Sequence, residues 1–214
     1  MSDANYVLYW DVFTSSLAAH VMLLELDVPF TMVRIDTEAK EHRQPEYLRI
    51  NPNGLMPAVQ LPDGRTLGET AAILLALGER HPEANLVPAL DDADRPRFLQ
   101  WLIALATTGH TTLRRHSSPD LYTTRHDALE GTTEVSAEQL GYFFNVIENV
   151  IEGTPYFLER GFGPLDIYLT MLLKFFDERQ ALFKDHPNLS ALYNASTERA
   201  SFQTAFALIL PEQD

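Results

Sequence analysis

Three hydroxyl residues in a row, Thr14-Ser15-Ser16, close the loop "DVFTSS" directly ahead of a run with helical periodicity. Side chains of this kind accept hydrogen bonds from the open N–H groups of a helix's first turn, so N-capping accounts for at least one of them. A second polar pair, Glu69-Thr70, opens another helical run, "ETAAILLALGERH", where an acidic group is favoured by the helix dipole. Between the two stands Met56-Pro57, at the head of the apolar run "LMPAVQL". Proline gives no N–H to a sheet but is tolerated as the first residue of a strand. A cis bond there would make a tight turn that aims the N–H and C=O of Met56 out of the sheet, where a bound peptide could pair with them. A trans proline ending a loop is the plainer alternative. His42 reads as a solvated loop residue and His110 as a polar helix end. His110, His116 and His126 share a polar stretch, but not at a metal-ligand spacing.

These residues need elements to hold them. "YVLYW" (6–10) is aromatic and β-branched and reads as a first strand. Leu17, Val21, Leu24 and Val28 lie on one helical face that Pro29 ends, and "FTMVRI" (30–35) alternates as a second strand. Strand, helix and strand in this order form a βαβ unit with a right-handed crossover. "PEYLRI" (45–50) reads as a short helix. "PAVQL", the turn Pro62-Asp63-Gly64 and "RTL" read as an antiparallel hairpin, and the helix 69–81 follows. Residues 82–94 are polar and proline-containing, a linker. Beyond it the apolar residues keep helical spacing: Phe98, Leu102 and Leu105, then Leu140, Phe144, Ile147 and Ile151, then Leu165, Leu169, Leu172 and Phe176. Residues 189–209 add one or two more helices, while 107–135 are polar and ambiguous. The expected architecture is an α+β domain over 1–81, the linker 82–94, and an all-α domain over 95–214.

The 214 residues are 45% hydrophobic, enough to build real cores. Without cysteine there is no disulfide, no thiolate metal site and no protein-borne redox thiol. A formal charge of −14 argues against nucleic acid and anionic membrane as partners. The opening "MSDANYVLYW" lacks the basic and apolar regions of a signal peptide, and no apolar stretch is long enough to span a bilayer. A cytoplasmic protein is expected, with no metal.

The arrangement "INPNGLMPAVQLPDGRTLGETAAILLALGERHP" closely resembles the cytosolic glutathione transferase family. The opening "LYW…SSLAAHVMLLELDVPF" and the late "HPNLSALYNASTERASFQTAF" extend the likeness over nearly the whole chain, nearest to the bacterial beta-like and theta-like branch. The resemblance implies a thioredoxin-like N-terminal domain, a helical-bundle second domain, a cis Pro57, glutathione as co-substrate in the cleft between the domains, and a homodimer. The reaction implied is attack by the glutathione thiolate on a small, mostly apolar electrophile. An ordinary thiol pKa is about 8.5, and lowering it by about two units needs roughly 2.7 kcal/mol. One hydrogen bond to a charged group supplies about 1.5–3 kcal/mol and a helix N-terminus about 0.3–1, so one hydroxyl suffices.

By the resemblance, Ser15 takes the place where the beta class carries cysteine, Thr14 the serine place of the theta class, and Tyr9 the tyrosine of the mu class. Ser15 is the preferred candidate. Leu55, Met56 and Pro57 would line the peptide, Met56 through its main chain. Glu69 and Thr70 would grip the γ-glutamyl end, and His42 the glycyl end. Phe13, in the loop after Trp10, and His110 would meet the electrophile. Two departures stand out. Ile103 replaces the asparagine of the beta-class helix pattern, and Gly163 replaces the hydroxyl residue three positions before Asp166, which leaves half a capping box. Competing functions are a non-catalytic binding or docking module and a glutathione-dependent reductive lyase or dehalogenase.

Overall fold

The computed structural model describes residues 5–209; residues 1–4 and 210–214, at the outer ends of the expected domains, lie outside it. The described chain forms two compact units. One comprises the described residues up to Ala89 together with those from Thr197, and the other is Leu90–Ser196.

The first unit is built on a four-stranded mixed sheet in the order β2-β1-β3-β4. β1 (Tyr6–Trp10) pairs in parallel with β2 (Phe30–Arg34) after the crossover helix α1 (Ser16–Glu25). The helix is shorter than its apolar spacing predicts. Asp27 takes a left-handed φ of 50°, so the chain turns there and Val28 falls outside the helix. A one-turn α2 (Pro45–Leu48) precedes β3 (Ala58–Gln60), which runs antiparallel to β1, and β4 (Thr66–Leu67) returns beside it. Gly64, with φ 86°, makes the turn of that hairpin, as its place in Pro-Asp-Gly requires. α3 (Thr70–Arg80) then packs against α1. Leu8, Val21, Leu23, Val59, Ile73 and Leu74 are fully buried in this core.

The second unit is helical, with α4 (Arg95–Ala104), α5 (Thr111–Ser117), α6 (Leu129–Val150), α7 (Pro164–Lys174), α8 (Arg179–Asp185) and α9 (Pro187–Thr197), whose last residue lies past the unit boundary. Its core gathers Phe98, Leu105, Leu140, Phe144, Ile147 and Leu169. The polar stretch 107–135 resolves into the end of a π turn, α5, two short 3-10 turns and the start of α6. Asp166, 1% exposed, accepts the N–H groups of Gly163 at 2.8 Å and Phe157 at 2.7 Å, so the carboxylate half of the capping arrangement operates without a hydroxyl at Gly163.

The last helix, α10 (Ala200–Ala207), belongs to the first unit, a difference from the division expected at residue 95. It packs on α1, and Arg199 forks onto the Glu25 carboxylate at 2.8 and 2.7 Å while Ser201 donates to the same group. Burial would raise the Glu25 pKa, but these hydrogen bonds and the Arg199 charge hold it below its ordinary value.

Candidate functional site in the sheet unit

The loop between β1 and α1 is organised from beneath by Asp11, which is 3% exposed. Its carboxylate accepts the Val12 N–H at 2.9 Å, the Arg34 Nε at 3.0 Å, and the Thr37 N–H and hydroxyl at 2.8 and 2.6 Å. Burial pushes its pKa up; the Thr37, Arg34 and Val12 hydrogen bonds outweigh that and hold it below the usual value. The Asp11 carbonyl accepts the hydroxyls of Thr14 at 2.8 Å and Ser16 at 3.1 Å, which also touch each other at 2.7 Å. Two of the three hydroxyls are thereby absorbed by the loop itself. Ser15 is left, at the N-cap of α1, without a capping bond of its own. It points across the sheet end instead, and its Oγ donates to the Met56 carbonyl at 3.2 Å.

Met56 precedes Pro57 through a cis peptide bond. Its N–H makes no hydrogen bond within the described residues, and its carbonyl takes only the Ser15 hydroxyl. The neighbouring Leu55 carbonyl is saturated, by the Tyr47 hydroxyl and by Asn51 Nδ2, both at 2.8 Å. Burial pushes the Tyr47 phenol up to about 12, so it remains a donor at neutral pH. Asn51, 5% exposed, also approaches Gly68: a Cβ at that glycine would stand 3.3 Å from Asn51 Nδ2. One buried amide thus braces both the segment before Met56 and the segment before Glu69. His42, half-buried on a 3-10 turn, is held against the same segment, since a Cβ at Gly54 (φ 58°) would meet its carbonyl at 2.9 Å.

Glu69 is exposed, and its carboxylate has no hydrogen bond or ion pair within the described residues. Its backbone, with φ 63° and ψ 115°, lies in a region that non-glycine residues rarely adopt. That bend turns the chain so that Glu69 caps α3 with its carbonyl, which accepts the Ile73 N–H at 2.9 Å, while Thr70 stands buried at the first helical position. The Thr70 hydroxyl likewise makes no hydrogen bond within the described residues. The first unit therefore presents an open main-chain N–H at Met56, an open hydroxyl at Thr70 and an open carboxylate at Glu69, with Ser15 beside Met56.

Two other candidates fall elsewhere. Tyr6 meets His81 just past α3, so its side of the sheet is the α1–α3 side; Tyr9, three residues on, faces the opposite way and lies edge-on to Tyr47 of α2, with ring centroids 6.2 Å apart. Phe13 also takes a left-handed φ, 53°, and is 69% exposed.

In the second unit, α4 runs into α5 through a π turn over Leu105–His110. Such one-turn expansions recur at functional sites. Gly109 is buried against α6, where a Cβ would lie 2.7 Å from Phe143 Cε1, so no larger residue fits without displacement. His110 follows, with Nδ1 3.0 Å from the Tyr168 hydroxyl and the rings edge to face at 5.8 Å. Burial, aided by the Arg114 charge, lowers its pKa to about 4, so the imidazole is neutral at pH 7. Among the described residues, no group of three His, Cys, Asp or Glu side chains gathers as metal ligands, and no helix is long and apolar enough to cross a membrane.

Asp11 and Asn51 were invisible as site residues from sequence. The one available signal was their place, a carboxylate directly after a strand and an amide ahead of a Pro-Asn-Gly turn.

Residues 15–80 match the family model for the glutathione S-transferase N-terminal domain. The glutathione S-transferase GstA of Escherichia coli O157:H7 is 34% identical over 111 residues, 50% of this chain and 55% of that protein. A maleylacetoacetate isomerase of Pseudomonas aeruginosa is 38% identical over 76 residues, 35% of this chain and 36% of its own length. The chain thus spans about half, or less, of the length of the curated relatives it matches. Among solved structures, a glutathione transferase homologue from Sulfitobacter with bound glutathione superposes with a TM-score of 0.87 at 27% identity, over 95% of this chain and 98% of that one.

Proposed function

We propose that the chain, whose residues 15–80 match the glutathione S-transferase N-terminal domain, binds glutathione on its sheet unit and holds the ligand's sulfur as a thiolate for attack on a small, mostly apolar electrophile. The observation that carries this reading is the meeting of Ser15 and Met56 at 3.2 Å, at the start of α1. The Met56 N–H and C=O pair with the cysteinyl main chain of glutathione, which brings the thiol beside the Ser15 hydroxyl. That hydroxyl turns from the carbonyl to the sulfur, and the α1 N-terminus adds its dipole. Thr14 is poorly placed for this role, since its single proton goes to the Asp11 carbonyl, and Tyr9 faces the other side of the sheet. The free Glu69 carboxylate receives the γ-glutamyl ammonium, and the Thr70 hydroxyl with the α3 N–H groups receives the adjoining carboxylate. His42 serves the glycyl end. Leu55 and Pro57 wall the peptide.

Phe13 in the sheet unit and His110 in the helical unit are each candidates to contact the electrophile, His110 through a neutral imidazole that supplies a hydrogen bond without a charge. In the addition form of the reaction, the sulfur bonds to the β-carbon of an enone, the alkene electron pair moves to the α-carbon, and that carbon takes a proton from water. The molecule acts as a cytoplasmic homodimer.

Ser15→Ala is expected to raise the bound thiol's pKa by about one to two units, the size of one charge-assisted hydrogen bond, while glutathione affinity changes far less. The activity loss then shrinks as pH rises. A pH–rate profile of conjugation checks this, with Thr14→Ala and Tyr9→Phe as controls. A profile moved by either control and untouched by Ser15→Ala would overturn the assignment. Titration calorimetry with reduced glutathione tests the reading as a whole, and no binding at millimolar ligand would favour a docking module.

A further inference from the structure

Acidic residues outnumber basic ones in this chain, 30 to 16, so an arginine has partners to choose from. In the second unit Arg97, Arg115, Arg125, Arg160 and Arg179 each donate to an oxygen, and Arg95 is engaged as well. Arg114 is the exception. Its guanidinium is exposed and, among the described residues, forms no hydrogen bond or ion pair.

Its position is not arbitrary. Arg114 lies one α-helical turn past His110, at the spacing that sets two side chains side by side. Upstream of the π turn, Thr107 and Ile103 are also exposed, Ile103 at 57%. The hydroxyls along this stretch are turned into the helix: Thr107 donates to the Ile103 carbonyl at 2.9 Å and Thr111 to the Ala106 carbonyl at 3.3 Å. Tyr168 fixes the His110 ring through Nδ1, which leaves Nε2 as its second hydrogen-bonding atom. His110 and Arg114 therefore offer, one helical turn apart, a neutral imidazole and an open guanidinium.

We infer that this pair selects an electrophile that carries a carboxylate, received by the Arg114 guanidinium together with His110 Nε2. A planar guanidinium matches a carboxylate in two parallel hydrogen bonds, which a lysine ammonium does not reproduce. Arg114 is a specificity residue here, and the inference rests on the proposed role of the His110 helix.

The test compares β-benzoylacrylic acid with its methyl ester, two enones that differ in one negative charge. With glutathione as nucleophile, the ratio of kcat/KM for acid over ester is expected to fall about tenfold in Arg114→Gln and to recover at least threefold in Arg114→Lys. A ratio within twofold of the parent in Arg114→Gln would overturn the inference. Equilibrium dialysis of the acid against the full chain, with S-methylglutathione present, reads the same preference without turnover. If neither enone is conjugated, the transferase reading fails; acid binding that still weakens about tenfold in Arg114→Gln supports the carboxylate site, and binding that does not weaken refutes it.

Discussion

Two carboxylates stand near the starts of two helices in the sheet unit, and they live opposite lives. Asp11 is 3% exposed and accepts four hydrogen bonds from three residues. Glu69 is exposed, accepts none, and sits on a backbone with φ 63°. A saturated carboxylate holds the loop that aims Ser15. An open carboxylate on a costly backbone contributes little to the fold, which is the pattern of a group kept for a ligand.

The sharpest way to break that contrast is Asp11→Ala. Removing a buried, fourfold-bonded carboxylate leaves its donors without an acceptor and should cost about 3 kcal/mol of folding stability. Denaturant unfolding measures it, and a loss under about 0.5 kcal/mol would erase the distinction. Because the folded pKa of Asp11 is lowered, its stabilisation is full above the ordinary carboxylate value of 3.8 and is lost as pH falls through the folded value. Next comes Glu25→Gln, expected to cost about 2 kcal/mol at pH 7 by breaking the fork with Arg199. The gap between parent and variant should close in acid, since the lowered Glu25 pKa confers stability above the ordinary carboxylate value of 4.5 that disappears below the folded one. Glu69→Ala is smaller and of another kind. Glutathione should bind about tenfold more weakly, roughly 1.4 kcal/mol by calorimetry, with unfolding almost unmoved. Smallest is Glu69→Gly, which should stabilise the fold by about 0.5 kcal/mol, because relief of the left-handed backbone exceeds the extra chain entropy of glycine. Thermal unfolding of Glu69→Gly beside Glu69→Ala separates backbone from side chain.

Sequence reasoning reached the β-hairpin, α3 and the proline at the head of β3 because those features are local: alternation, Pro-Asp-Gly and a capping pair lie within twenty residues. It stopped where partners are distant. Nothing near Asp11 announces Arg34 and Thr37, which lie 23 and 26 residues away. The apolar spacing predicts too late an end for α1 because Pro29 is a conspicuous stop, whereas the left-handed turn at Asp27 leaves no compositional mark. The π turn at Leu105–His110 was hidden for a related reason, since one extra residue in a helical turn hardly disturbs the apolar period. The pull of α10 toward α1 depends on Glu25 and Arg199, 174 positions apart.

That separation has a consequence for the order in which the molecule can be made. The second unit is an insertion within the first, whose sheet is synthesised before it and whose closing helix comes after it. Until α10 leaves the ribosome, the α1 surface around Leu17 and His20, which later lines a small cavity with Ala205, Leu208 and Ile209, has no cover. The helical unit is complete by Ser196 and can fold while translation continues. The sheet that carries Ser15 is thus made before the helical unit, and the helix that covers α1 reaches it only after that unit has been made.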